Sequence, residues 1–154
     1  MKIIGLIFLL FSFYSAFFIR ENLGLYFFLF IILVCIFTDI GGYIFGKIFK
    51  GPKLSTVSPN KTYSGMIGSF LTSLMVGVIF INLTEMKLLM DINNLILLSF
   101  ILLISLISQI GDLVISYFKR KANLKDTGKI LPGHGGLLDR LDGLVFVTPT
   151  VYLL

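Results

Sequence analysis

Charge is scarce in this sequence. Only 14% of its 154 residues are Asp, Glu, Lys or Arg, against about 25% in an ordinary soluble domain, and the few charges come in clusters. With 56% hydrophobic residues and a mean hydropathy of +0.99, the chain reads as a membrane protein rather than a water-soluble globule. Cysteine is nearly missing. Cys35 stands alone in an apolar run, which excludes a disulfide framework and a thiolate metal site. No long basic tail, repeat or low-complexity linker interrupts the chain. At this length a single domain over residues 1–154 is expected.

Long apolar runs take the place of charge. They extend over Ile3–Ile19, Leu23 to about Phe37, Met66–Leu83 and Leu95 to about Phe118, and a spanning helix needs about 17–25 predominantly apolar residues. The expected architecture is all-α and polytopic, with four long transmembrane helices. The first run exceeds the ~7–15 apolar residues of a secretory signal, and no small-x-small cleavage site precedes Arg20, so it reads as a span. The last segment, Gly143–Leu154, has only 12 residues, about 18 Å as a helix. Against a ~30 Å hydrocarbon core it either reaches partway across or leans on neighbouring helices, and it contains Pro149.

Polar residues along the runs fall into patterns. Gly65, Ser69, Ser73 and Gly77 recur every four positions, a stripe that lets another helix approach closely. Ser105, Ser108, Gln109, Asp112 and Ser116 share one helical face, which should turn towards protein or water. For Ser105 and Ser108 the expectation is hydrogen bonding to neighbouring helices. Helical spacing puts Asp39, Tyr43 and Lys47 on one face of the second run as it leaves the membrane. Asp39 there is either a group facing a watery cavity or a solvated helix end. Ser58-Pro59 reads as a helix start, serine capping and proline in the first turn, which puts Lys61 beside free N–H groups that suit an anion. The Asn82-Leu83-Thr84 triplet is read as chance.

The cations define an orientation. If Lys2 lies inside, the loops over residues 46–64 and 119–142 lie inside too, with eleven of the thirteen Lys and Arg residues; only Arg20 and Lys87 remain outside. Such asymmetry is what the positive-inside rule requires. A net charge of +5 therefore reflects membrane orientation, and no nucleic-acid partner is expected.

Chemistry concentrates in residues 111–142. Asp112 and Ser116 are four apart at the end of an apolar helix, and Lys119 follows on nearly the same face. A glycine-rich turn, Pro132-Gly133-His134-Gly135-Gly136, leads to Asp139, Arg140 and Asp142. Carboxylates, cations and a bare-backbone turn at one membrane surface suit a polyphosphate held with a divalent metal. Hard cations such as Mg²⁺ take carboxylate and phosphate oxygens, and exposed glycine N–H groups form a concavity for anions.

This stretch resembles the phosphatidate cytidylyltransferase family. The match runs through Ser116, Phe118, Lys119-Arg120, Lys125-Asp126, Gly128, Leu131-Pro132, His134-Gly135-Gly136, Leu137, Asp139-Arg140, Leu141 and Asp142. A second block fits at Asp39, Tyr43, Ser58, Pro59, Lys61, Thr62, Tyr63 and Gly65, and departs at Ser64, where the family usually has glutamate. The resemblance implies transfer of the cytidylyl group of CTP to phosphatidate, giving CDP-diacylglycerol and pyrophosphate. It implies Mg²⁺, with a second metal ion alongside, and Asp112, Asp139 and Asp142 as the metal-binding acids. Asp142 would be a ligand or a hydrogen-bond acceptor behind the other two.

Lys119, Arg120 and Lys61 are expected to bind triphosphate or lipid phosphate, with Asp39, Ser58, Ser116 and Arg140 also lining the substrate site. Residues 133–136 would bring backbone amides to the nucleotide. His134 is either a structural hydrogen-bonder or a substrate contact. Lys125-Asp126 is a substrate-site pair by the resemblance and, by itself, a local ion pair ordering its loop. The resemblance further implies a homodimer, membrane lipid around it, and a site facing the cytoplasm from a bacterial inner membrane. Two rivals stand beside it: a CTP-using membrane enzyme acting on an isoprenoid lipid, and a small ion-transport subunit using Asp39 and Asp112.

Overall fold

The structure, a computed structural model, describes residues 2–54, 58, 61–84, 89, 92–124, 128 and 138–154, the side chains of Lys2, Leu138, Asp139 and Arg140 excepted. Five named helices carry the fold: α1 (Lys2–Asn22), α2 (Leu25–Phe49), α3 (Tyr63–Thr84), α4 (Asn94–Lys121) and α5 (Leu138–Leu153). Among the described residues there is no strand, only an isolated antiparallel pairing of Lys53 with Thr62. The first four helices are long and apolar enough to cross a membrane. Large apolar side chains cover the outside, Ile4 at 72% and Leu83 at 78% exposure among them, while many of the buried residues are serine and threonine. That inverted pattern marks an all-α, polytopic integral membrane protein, whose helices join through small and hydroxyl residues instead of through an apolar core alone.

Local chemistry sets the helix ends. Gly24, at φ 89°, makes the turn between α1 and α2, a conformation natural only to glycine. After Phe49, Lys50 turns left-handed and returns its N–H to the Gly46 carbonyl, and Gly51-Pro52 prevents continuation. Asn93 caps α4 by accepting from the Leu95 N–H at 2.9 Å. At the other end Lys119, Arg120 and Lys121 fill the last turn, where cations suit the helix dipole.

α2 and α3 form the tightest pair. The expected stripe on α3 is buried at Gly65, Ser69, Ser73 and Gly77. It meets a second set on α2: a Cβ added at Gly65 would lie 2.6 Å from the Gly42 carbonyl oxygen, and one at Gly41 2.7 Å from that of Gly68. Ser69 and Thr72 donate across the seam to the Thr38 and Phe37 carbonyls at 2.7 and 2.8 Å. Because the stripe is consumed within the chain, with Gly77 against Ile101 of α4, it lends no support to a homodimer. α4 crosses this pair, and Thr38 donates to Ser105 at 2.9 Å, the helix-to-helix role expected of that serine. Ser108, also buried, packs against Gly143 of α5. Cys35 is buried.

The C-terminal segment is longer than its apolar run, because α5 begins at Leu138 and takes in Asp142. Its 16 residues still reach only about 24 Å. It lies against α1 and α4. Pro149 sits inside α5 and cannot supply the N–H that the Val145 carbonyl would accept. Ser12 of α1 donates to that carbonyl instead, at 2.8 Å, the repair a membrane interior demands. Ser12→Ala should therefore cost about 1–2 kcal/mol, read as an earlier SDS-unfolding midpoint. An unchanged midpoint would show that the carbonyl finds another donor.

Candidate active site

The site begins with the basic loop between α2 and α3. Lys53 pairs with Thr62, Leu54 donates to the Lys61 carbonyl at 2.7 Å, and Tyr63 donates to that of Pro52 at 3.0 Å. Ser64 ties the loop down, accepting from the Gly51 N–H at 3.3 Å and bonding the Thr62 hydroxyl at 3.0 Å. So the position where the resemblance expects glutamate holds the loop to the helix by hydroxyl chemistry. The expectation that α3 starts at Ser58-Pro59 is wrong. Thr62 is the cap, its Oγ1 accepting from the Gly65 N–H at 3.1 Å, because pairing with Lys53 and Leu54 keeps residues 61–62 extended. Lys61 consequently lies ahead of the helix rather than in its first turn.

From that position Lys61 reaches across to α4 and forms an ion pair with Asp112 Oδ2. Asp112 Oδ1 lies 3.4 Å from the Ser116 hydroxyl. Asp142 arrives from α5, where the helices almost touch: a Cβ at Gly111 would stand 3.1 Å from the Asp142 carbonyl oxygen, and one at Gly143 would strike Ser108. This crossing buries Asp142 to 7% exposure. Its carboxyl group stands near enough to Asp112 and to Asp39 of α2 for their charges to act on it, and Oδ1 accepts from the Gly143 N–H at 2.9 Å.

A cavity of about 270 Å³ opens between α2, α3 and α4, with Asp39 and Asp112 in its wall. Asp39, Ser58, Lys61 and Asp112, four of the residues named from sequence, line it together with Tyr43, Thr38, Ser69 and Gln109. Asp39 thus faces a cavity. Above it, the Lys47 ammonium lies 5.6 Å from the centre of the Tyr43 ring. Ser69 and Gln109 were assigned no role in the site by sequence reasoning. The available signal was their spacing, since Ser69 is one turn from Gly65 and Gln109 one turn before Asp112.

Among the described residues, Lys119 and Arg120 stand about two turns beyond Asp112 and do not line the cavity. Asp139 and Arg140 belong to the first turn of α5, but their side chains lie outside the described residues, and with them the expected meeting of Asp112 and Asp139. Lys125, Asp126, Gly133, His134, Gly135 and Gly136 also lie outside the described residues.

No group of three or more His, Cys, Asp or Glu side chains among the described residues is arranged as a metal cage. The acids present fit a different kind of cation site. Neighbouring carboxylates repel unless a proton or cation offsets their charge, and Asp112 and Asp142 are near enough to feel one another. Their hard oxygens suit Mg²⁺, which is commonly held by one or two carboxylates with the rest of its shell from water and phosphate.

Fold and site together define a polytopic membrane protein with an acid-and-ammonium pocket at one end of its bundle. Residues 1–154 match the model of the cytidylyltransferase family, and the chain belongs to that family. It is 42% identical over 142 residues to the phosphatidate cytidylyltransferase of Staphylococcus haemolyticus, covering 92% of this chain and 53% of the relative. The phosphatidate cytidylyltransferase of Staphylococcus aureus gives the same figures. That of Staphylococcus saprophyticus is 43% identical over 134 residues, 85% of this chain and 49% of the relative. The chain thus spans about half the length of the curated relatives it matches.

Proposed function

We propose that the protein transfers the cytidylyl group of CTP to phosphatidate, producing CDP-diacylglycerol and pyrophosphate at the cytoplasmic face of a bacterial inner membrane. The observation that carries this reading is the Lys61–Asp112 pair across the cavity with Asp142 against its back. The names borne by the relatives support the choice of substrates. A phosphate oxygen of the lipid attacks the α-phosphorus of CTP, the bond to the β-phosphate breaks, and pyrophosphate leaves with the electron pair. Both reactants are anions, so the task is to neutralise charge and hold the groups in line. The nucleophile is already an oxyanion, and no general base is required.

Asp112 and Asp142, with Asp139 from the first turn of α5, would hold Mg²⁺. Bound there, the ion supplies Lewis-acid neutralisation of phosphate charge. Lys61 grips phosphate from the loop side, and Lys119 and Arg120 serve the same end from the last turn of α4. The glycine turn over residues 133–136 would present its amides to the nucleotide. Asp39 and Ser58 position substrate from the cavity wall.

The test is purified chain in detergent with CTP, Mg²⁺ and either phosphatidate or an isoprenoid lipid phosphate. The expected result is CDP-diacylglycerol and pyrophosphate from phosphatidate. Product from the isoprenoid alone would change the substrate, and no CTP-dependent pyrophosphate would remove the reading. Lys121, exposed at the end of α4, serves the membrane surface instead, an attraction worth about 1 kcal/mol. Lys121→Ala should change turnover by less than about fivefold. A loss of about a hundredfold, some 3 kcal/mol, would move it into the phosphate site.

A further inference from the structure

Lys61 occupies an oxygen of the carboxylate that the proposed function gives to the metal. Its ammonium group sits on Asp112 Oδ2, while Oδ1 faces Ser116. The Lys61 and Asp112 side chains are 25% and 27% exposed. The pair is therefore not one of the fully solvated surface contacts that contribute nothing, and solvent ions screen it only in part. A divalent ion approaching Asp112 meets a cation already in place. A phosphate entering the cavity changes this, because it offers the ammonium an alternative anion beside Ser58 and Thr62, which also line that space.

We propose that Lys61 acts as a placeholder cation, closing Asp112 to metal in the substrate-free protein and releasing it when phosphate draws the ammonium away. This rests on the cytidylyltransferase reading of the site and adds an order to it: metal is admitted with the nucleotide, not before it. The two ligands are then coupled through one side chain, and the coupling is reciprocal. Such a device keeps Asp112 neutralised when no substrate is bound, and it discourages a lone ion from occupying the site unproductively.

The test uses Mn²⁺ as a probe for the oxygen site, its free concentration followed by electron paramagnetic resonance during titration of the full chain in detergent without nucleotide. Lys61→Met should bind Mn²⁺ roughly ten- to a hundredfold more tightly than the natural protein, the usual range for coupled sites. Lys61→Gln, which keeps a polar side chain, is measured in parallel, and size-exclusion elution verifies that both assemble. Adding Asp112→Asn to Lys61→Met should abolish the gain, which ties it to this carboxylate. Mn²⁺ affinity unchanged or weakened in either assembled variant overturns the proposal, as does a gain that survives Asp112→Asn. The outcomes separate the two readings. If CTP and phosphatidate give product but the variants bind Mn²⁺ no better, the placeholder role fails alone. If the variants bind Mn²⁺ more tightly but no product forms, the role stands and the reaction assigned to the site falls.

Discussion

Under the proposed function, Asp112→Asn is expected to lower CTP- and Mg²⁺-dependent formation of CDP-diacylglycerol by roughly three orders of magnitude, about 4 kcal/mol in the barrier. The substitution preserves shape. Asparagine can still meet Ser116 and Asp142, the neighbours of the native carboxyl group, so the crossing of α4 and α5 has no reason to move. What it removes is charge. A neutral amide is a poor ligand for a hard cation, and the attacking lipid phosphate and the CTP triphosphate then meet with their repulsion only partly neutralised. Lys61 loses its partner but is already a quarter exposed and can hydrate, so stability should fall by about 1 kcal/mol or less. The measurement is product formation beside size-exclusion elution and helical circular dichroism. Near-native activity in a well-assembled variant would take Asp112 out of the reaction. Lost activity with lost assembly would make it structural.

Much of the scaffold is legible in the sequence, because a membrane imposes one strong rule: each crossing needs a long apolar helix. Run length therefore located four helices, and the Gly65–Gly77 stripe identified a face where helices meet. Helix ends were harder. The second apolar run stops near Phe37, yet α2 continues to Phe49, since Gly41, Gly42 and Gly46 are covered by α3 and Asp39 opens on a cavity. Hydropathy cannot see polar residues that other helices shelter. The start of α3 was misread because Ser58-Pro59 is a plausible local cap, while the pairing of Lys53 with Thr62 that decides the matter is made across the loop.

The site shows the same division. Its residue types stood out in the motif, but their partners did not. Nothing local joins Lys61 to Asp112, and Asp142 lies in a polar stretch that gives no hint of burial. It is buried because Gly111 and Gly143 bring two backbones together. Sequence named the acids, and packing decided that Asp142 is buried and that Lys61 pairs with Asp112.

Gly65→Ala is expected to damage both the bundle and the cavity through a single methyl group. Its Cβ would sit 2.6 Å from the Gly42 carbonyl oxygen and 3.3 Å from Thr62 Oγ1. The first neighbour is backbone and cannot rotate away, so α2 and α3 must part. Overpacking of this kind costs about 1–3 kcal/mol, and here the displacement falls on the site as well. Gly65 lines the cavity, and Thr62, whose hydroxyl caps the helix through the Gly65 N–H, is the residue after Lys61. Pushing α2 outward carries Asp39 away from Lys61 and Asp112, so activity should fall further than stability alone explains. Gly5→Ala is the matched control: no atom lies within 4 Å of its added Cβ, and in a helix alanine is favoured over glycine by about 0.5–1 kcal/mol. Unfolding midpoints in detergent and turnover below those midpoints should separate the two variants, Gly5→Ala equalling or exceeding the natural protein in both. If Gly65→Ala matched it, α2 and α3 would not meet backbone to backbone beside the cavity, and the placing of Asp39 opposite Lys61 would need another cause.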